Sequence, residues 1–99
     1  MEIIRVDGYI LDTLMADLVG HERSPSSFLV YLALWGRSRG RRPAVVAASH
    51  RDLAGDTGLS KSAVQSAIRN LRRRRLITAA HASKTAVPEY TVLRPWRRR

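Results

Sequence analysis

Cysteine is absent from this 99-residue chain. That excludes disulfides and thiolate metal sites, and it says nothing positive about redox compartment. Long apolar runs are missing as well: none approaches the ~18 residues that span a bilayer. The start, Met1-Glu2-Ile3-Ile4-Arg5, lacks the basic region followed by an apolar stretch that marks a signal peptide. A cytoplasmic protein with no membrane partner is therefore expected. Acids are scarce, eight Asp+Glu against eighteen Lys+Arg, which leaves a formal net charge of +10. Lysine is scarce too. Only Lys61 and Lys84 occur, and every other basic residue is arginine. A domain this small and basic repels itself unless a polyanion neutralises it, and nucleic acid is the commonest such partner. The planar fork of arginine suits phosphate and guanine edges. An anionic membrane surface or an acidic protein fits the same charge, and a GC-rich genome also enriches arginine. Catalytic groups are thin. His21, His50 and His81 are scattered, no two carboxylates share a cleft, and so small a core scarcely provides a preorganised pocket. No catalytic residue, metal ligand, cofactor or small-molecule ligand is expected.

What is present is a normal globular share of apolar residues, 44%, enough for one modest core and one domain over residues 1–99. Five acids (Glu2, Asp7, Asp12, Asp17, Glu22) fall in the first 22 residues, whereas arginine dominates from Arg37 onward. The binding surface is accordingly expected in the later part. Residues 1–8 read as an extended arm. Tyr9 to Val19 place Ile10, Leu11, Leu14, Met15 and Leu18 at helical spacing, with Gly20 suited to the end of that helix. Ser24-Pro25 is a helix start, serine capping and proline in the first turn. The wide apolar face of Phe28, Leu29, Tyr31, Leu32, Leu34 and Trp35 then makes a central helix to about 38–40. Ala44 to Ala48 can form a short strand. Leu76–Ala80 and Glu89–Leu93 read as a hairpin around the turn-like segment 81–88.

Between these lies the informative stretch. Ser49-His50-Arg51-Asp52 resembles a capping box, with Asp replacing the usual Glu or Gln. Ala54 is small where two helices would cross. Gly58, four residues on, fits a turn that needs a left-handed backbone, and Val64, six further, anchors a second helix capped by Ser60. Val64, Ala67, Ile68 and Leu71 make its buried stripe. Residues 51–69 resemble a helix-turn-helix, and residues 24–93 are similar in layout to the winged helix-turn-helix regulators and plasmid replication initiators of bacteria. The resemblance implies a mainly α fold with a small β-hairpin (α+β): a three-helix core plus wing and an extra N-terminal helix. It divides the chain into an N-terminal arm and helix (1–23), a helical core (24–75) with the helix-turn-helix at 49–74, a wing (76–94) and a basic tail (95–99).

With Val64, Ile68 and Leu71 buried, the second helix turns Lys61, Ser62, Gln65, Ser66 and Arg69 outward, all hydrogen-bonding and none acidic. Glutamine can pair with adenine and arginine with guanine in the major groove, while Ser60, Lys61 and Ser62 sit at a helix N-terminus that attracts phosphate. In the run Arg72–Arg75 successive residues turn by about 100°, so one or two meet phosphate and the rest satisfy the last carbonyls. The candidate DNA-binding set is Ser49, Arg51, Ser60, Lys61, Ser62, Gln65, Ser66, Arg69, Arg72, Arg73 and Lys84. By the resemblance, the hairpin tip (His81, Ser83, Lys84, Thr85) touches backbone or minor groove. Trp96 and Arg97–Arg99 could contribute backbone contacts, or Trp96 could cover the core edge. The resemblance also implies a homodimer, with Leu11, Leu14, Met15 and Leu18 of the N-terminal helix as the dimer surface, or equally a core helix of a monomer.

Double-stranded DNA is thus the expected partner, in transcription regulation or, alternatively, in replication initiation or partition. Two rivals come from other classes. Gly55-Asp56-Thr57-Gly58 fits the Gly-x-x-Gly loop of an RNA-binding KH domain, though Asp56 would repel the backbone it should clamp. A winged helix can also serve as a protein-interaction adaptor, but such adaptors usually lack a basic recognition face.

Overall fold

The computed structural model describes residues 1–84 and 86–97. Two N-terminal π-helical segments, Ile10–Leu14 and Ala16–His21, come first. Then follow α1 (Pro25–Ser38), β1 (Val45–Ala47), α2 (His50–Thr57), α3 (Lys61–Arg73), β2 (Ile77–Ala80) and β3 (Glu89–Val92).

The ends of the later helices are written in local chemistry. Ser49 Oγ accepts from the Asp52 backbone N–H at 2.9 Å, and the Asp52 carboxylate accepts from the Ser49 N–H at 2.9 Å. These reciprocal bonds satisfy two donors that a helix start leaves unpaired. Gly58 closes α2 with φ +78°. A side chain at that φ would press Cβ against the backbone, and glycine has none. Ser60 Oγ accepts from Ala63 N–H at 3.1 Å and starts α3. At its far end Arg75 takes φ +57°. Leu76 N–H then reaches back to Leu71 C=O at 2.9 Å, the six-residue bond of a Schellman stop. Ser24 departs from the expected capping role. Its hydroxyl makes no cap bond and pairs with the Ser27 hydroxyl at 2.6 Å.

The core gathers from every element. Val30, Tyr31 and Leu34 of α1, Leu53 of α2 and Val64 and Leu71 of α3 are each 0% exposed. Burying each such aliphatic side chain is worth ~1.5–3 kcal/mol. Leu29, expected on the apolar face of α1, is instead exposed, and Val30 takes the inward place. β1, β3 and β2 form an antiparallel sheet in that order. Val45 pairs with Thr91 and Ala47 with Glu89, while Ile77 pairs with Val92 and Ala80 with Glu89. The hairpin therefore gains a third strand.

The N-terminal helix differs from the expected α-helix. Its backbone bonds run five residues back, Met15 N–H to Ile10 C=O and Glu22 N–H to Asp17 C=O, and the wider π turn brings residues four apart nearer to one line. Ile10, Leu14 and Leu18 accordingly enter the core together, at 0%, 3% and 0% exposure. Gly20 lies inside the second segment and does not end it. The expected dimer surface is split as a result: Leu14 and Leu18 belong to the core, and only Leu11 and Met15 remain exposed. Residues 1–7 have no regular secondary structure. The arm is fastened by Trp35 Nε1–H to Arg5 C=O at 2.7 Å and by Asp7, which accepts from Trp96 Nε1 at 3.0 Å and from Arg97 Nε at 2.7 Å. Tyr9 stacks on Trp96 with centroids 4.7 Å apart. Trp96 thus covers the core edge, and Arg97 is an ion-pair partner of Asp7 and does not serve as a loose basic tail. Arg98, Arg99 and Thr85 lie outside the described residues.

Candidate nucleic-acid interface

Helix α3 carries the site because its two faces are chemically opposed. Val64, Ala67, Ile68 and Leu71 are buried against α1, α2 and the sheet. Lys61, Ser62, Gln65, Ser66, Arg69 and Arg72 are exposed on the other side. The short turn through Gly58 and Leu59, between the end of α2 and the Ser60 cap of α3, sets that orientation. Leu59 is half-buried against the core, which fixes the connection. Within the exposed row Arg69 Nη2 donates to Ser66 Oγ at 3.2 Å, and Gln65 Nε2 lies 3.4 Å from His50 Nδ1. Ser60 and Ser62 hydroxyls sit 3.3 Å apart at the helix start. The unpaired backbone N–H groups and dipole there favour an anion.

Beside α3 the hairpin forms the other wall of a groove of about 420 Å³. His50, Gln65, Arg69 and Arg72 line one side, and Ala79, His81, Pro88 and Tyr90 the other. The structure brings together here residues far apart in the sequence. His50 was outside the candidate set. It is the first residue of α2, and only the packing of α2 against α3 sets it beside Gln65, so no local signal marks it. Ser49 is held in the capping box, while Arg51 and Lys84 are exposed, the latter at the hairpin tip. Gly55 is within α2, so Gly55–Gly58 is not a loop between helices and lacks the geometry of a KH clamp.

Among the described residues, five of the eight acids hold arginines. Asp56 holds Arg37, Glu2 holds Arg39, and Asp7 holds Arg97. Asp17 and Glu22 both hold Arg74, and Glu22 also holds Arg73. Arg73 and Arg74 were expected to meet phosphate or to satisfy carbonyls at the end of α3; their guanidinium groups point instead to the N-terminal segment. Among the described residues, no ion pair involves Arg51, Lys61, Arg69, Arg72 or Lys84. The hydrogen bond from Arg74, then that from Arg73, holds the Glu22 carboxyl below its ordinary range. Among the described residues there is no group of three or more His, Asp and Glu placed to hold a metal ion. No helix among them is long and apolar enough to cross a membrane.

Two capped helices around a left-handed glycine, with a basic row facing out, is the arrangement that the sequence resemblance implies. The family whose sequence model matches residues 24–77 is described as a helix-turn-helix domain. The chain belongs to that family. No curated protein and no solved structure matches it. The matched helix-turn-helix region covers α1 through the start of β2, β1 included, and the β2–β3 hairpin that completes the three-stranded sheet makes the fold a winged helix-turn-helix. Membership in the helix-turn-helix family supports DNA binding in general.

Proposed function

We propose that residues 1–99 act as one sequence-specific, double-stranded-DNA-binding domain, with α3 seated in the major groove, and that the protein regulates transcription. The observation that carries this reading is the outward row of α3: Lys61, Ser62, Gln65, Ser66, Arg69 and Arg72 are exposed opposite the buried stripe, and among the described residues no ion pair involves Lys61, Arg69 or Arg72. Gln65 and Arg69 read base edges, Lys61, Arg51 and Arg72 hold phosphates, and Lys84 reaches the flanking backbone. A second copy would pair through the apolar side chains that the N-terminal segment leaves exposed, Leu11 and Met15.

Selection of bound sites from random duplexes tests the proposal. A defined preferred sequence is expected, and a palindrome would report two copies on one site. Gln65→Ala should relax preference at one base pair by ~1–3 kcal/mol, whereas Lys61→Ala should weaken all sequences alike. Failure to enrich any sequence, or single-stranded RNA outcompeting duplex DNA, would reject the reading.

A further inference from the structure

Ser62, Ser66, Arg69 and Arg73 follow one another at four, three and four residues, so they form one row along the outward side of α3. Among the described residues the first three face solvent without a partner from another element, but the fourth does not. Arg73 Nη2 donates to Glu22 at 3.2 Å and also to Asn70 Oδ1, whose own amide nitrogen donates to Ser27 Oγ at 2.9 Å. Arg74, next along, donates one nitrogen to Asp17 at 2.6 Å and another to Glu22. Asp17, Glu22 and Arg74 are each at most one-third exposed, at 33%, 22% and 29%. The Arg74 pairs are therefore partly shielded from salt, whereas the Arg73 side chain, 65% exposed, is held by a more solvated pair that Asn70 reinforces. The hydrogen bonds that Arg74 donates to Asp17 and Glu22 also push its guanidinium further toward its charged form.

We propose that Asp17 and Glu22 are specificity-determining residues: by holding Arg73 and Arg74 off the duplex, they limit the sequence-independent part of DNA affinity. This rests on α3 being the DNA-reading helix, as above. Phosphate contacts raise affinity for every sequence equally, whereas base contacts discriminate. A recognition helix that ended in four unrestrained arginines would add phosphate contacts and dilute discrimination. The acids act as an internal substitute for phosphate, confining the DNA contact to the first three turns of α3, the groove and the hairpin. Removing them frees Arg73, which already lies on the outward row, and gives Arg74 the reach of a flexible side chain.

The test compares salt-dependent binding, between 50 and 200 mM, of a selected duplex and a random duplex. Four proteins are titrated: the unmodified chain, Asp17→Asn/Glu22→Gln, Arg73→Gln/Arg74→Gln, and the quadruple variant. Each new phosphate contact steepens the log–log salt slope by about 0.9, so the acid variant should steepen by roughly 0.9–1.8. Its preference for the selected duplex should fall severalfold. The arginine variant and the quadruple variant should keep the original slope. Acids that merely brace the fold would lower the melting temperature and leave the slope of the still-folded protein unchanged, which overturns the proposal. So does a flatter slope in the arginine variant, which needs no acid substitution and decides the matter even if the acid variant fails to fold. Absence of salt-dependent duplex binding by the unmodified chain would instead defeat the DNA-binding reading itself.

Discussion

Residues 49–74 and residues 8–22 are both short helical stretches with apolar side chains every few positions, yet they are specified by opposite means. The first is fixed locally. Two serine caps, one capping box and a left-handed glycine determine where α2 and α3 start and stop, whatever surrounds them. The second has no side-chain cap at either segment. It is held from outside, by Trp96 stacked on Tyr9, by Asp7 gripping Trp96 and Arg97, and by the ion pairs of Asp17 and Glu22 to α3. The lesson is that the reading helix is an autonomous local design, while the N-terminal segment takes its form from what it packs on and completes the core behind that helix.

The comparison breaks most visibly in the core. Leu18→Ala and Leu53→Ala, one in each region and both at 0% exposure, should each cost ~2–5 kcal/mol in chemical denaturation. A loss under ~1 kcal/mol at Leu18 alone would show that the N-terminal segment is peripheral to the core. Gly58→Ala should cost less, about 1–2 kcal/mol. The φ of +78° is strained for any side chain, but beyond its own chain neighbours an added Cβ would meet nothing within 4 Å, so the penalty is confined to the local backbone. An unchanged melting curve would mean that the turn does not need its left-handed residue. The smallest effect belongs to the arm. Burial alone would raise the Asp7 carboxyl, but hydrogen bonds from Arg97 and Trp96 outweigh it and hold it below its ordinary 3.8. A carboxyl lowered on folding stabilises the protein above pH 4, and that stability is lost as pH falls below 3.8 toward its folded value. Asp7→Asn should therefore flatten the acid limb of the stability profile. An identical acid limb would remove Asp7 from the clasp.

How much the sequence disclosed follows the same division. Ser49, Asp52, Gly58, Ser60 and the stripe Val64, Ala67, Ile68, Leu71 announce α2 and α3 because caps, turns and helical periodicity are local. The two hairpin strands were legible from their β-branched and aromatic alternation between turn residues. The π geometry around Ile10, Leu14 and Leu18 was not, because four-residue spacing is compatible with an α-helix until the core selects the wider turn. Neither was the destination of Arg73 and Arg74. Their partners Asp17 and Glu22 lie more than fifty residues earlier, and only folding brings the opposite charges together. His50 beside Gln65 is a third such case, set by the crossing of two helices.

The outward row of α3 is the claim on which the rest depends, and Arg69 is its most direct probe: exposed, bonded among the described residues only to Ser66 within its own helix, and lining the groove beside the hairpin. Fluorescence anisotropy of a labelled duplex, titrated with the unmodified protein and with Arg69→Glu, tests it. A fold-neutral loss of at least about 1–3 kcal/mol in binding is expected. Equal affinity of the two proteins, with the variant still folded, would contradict the account.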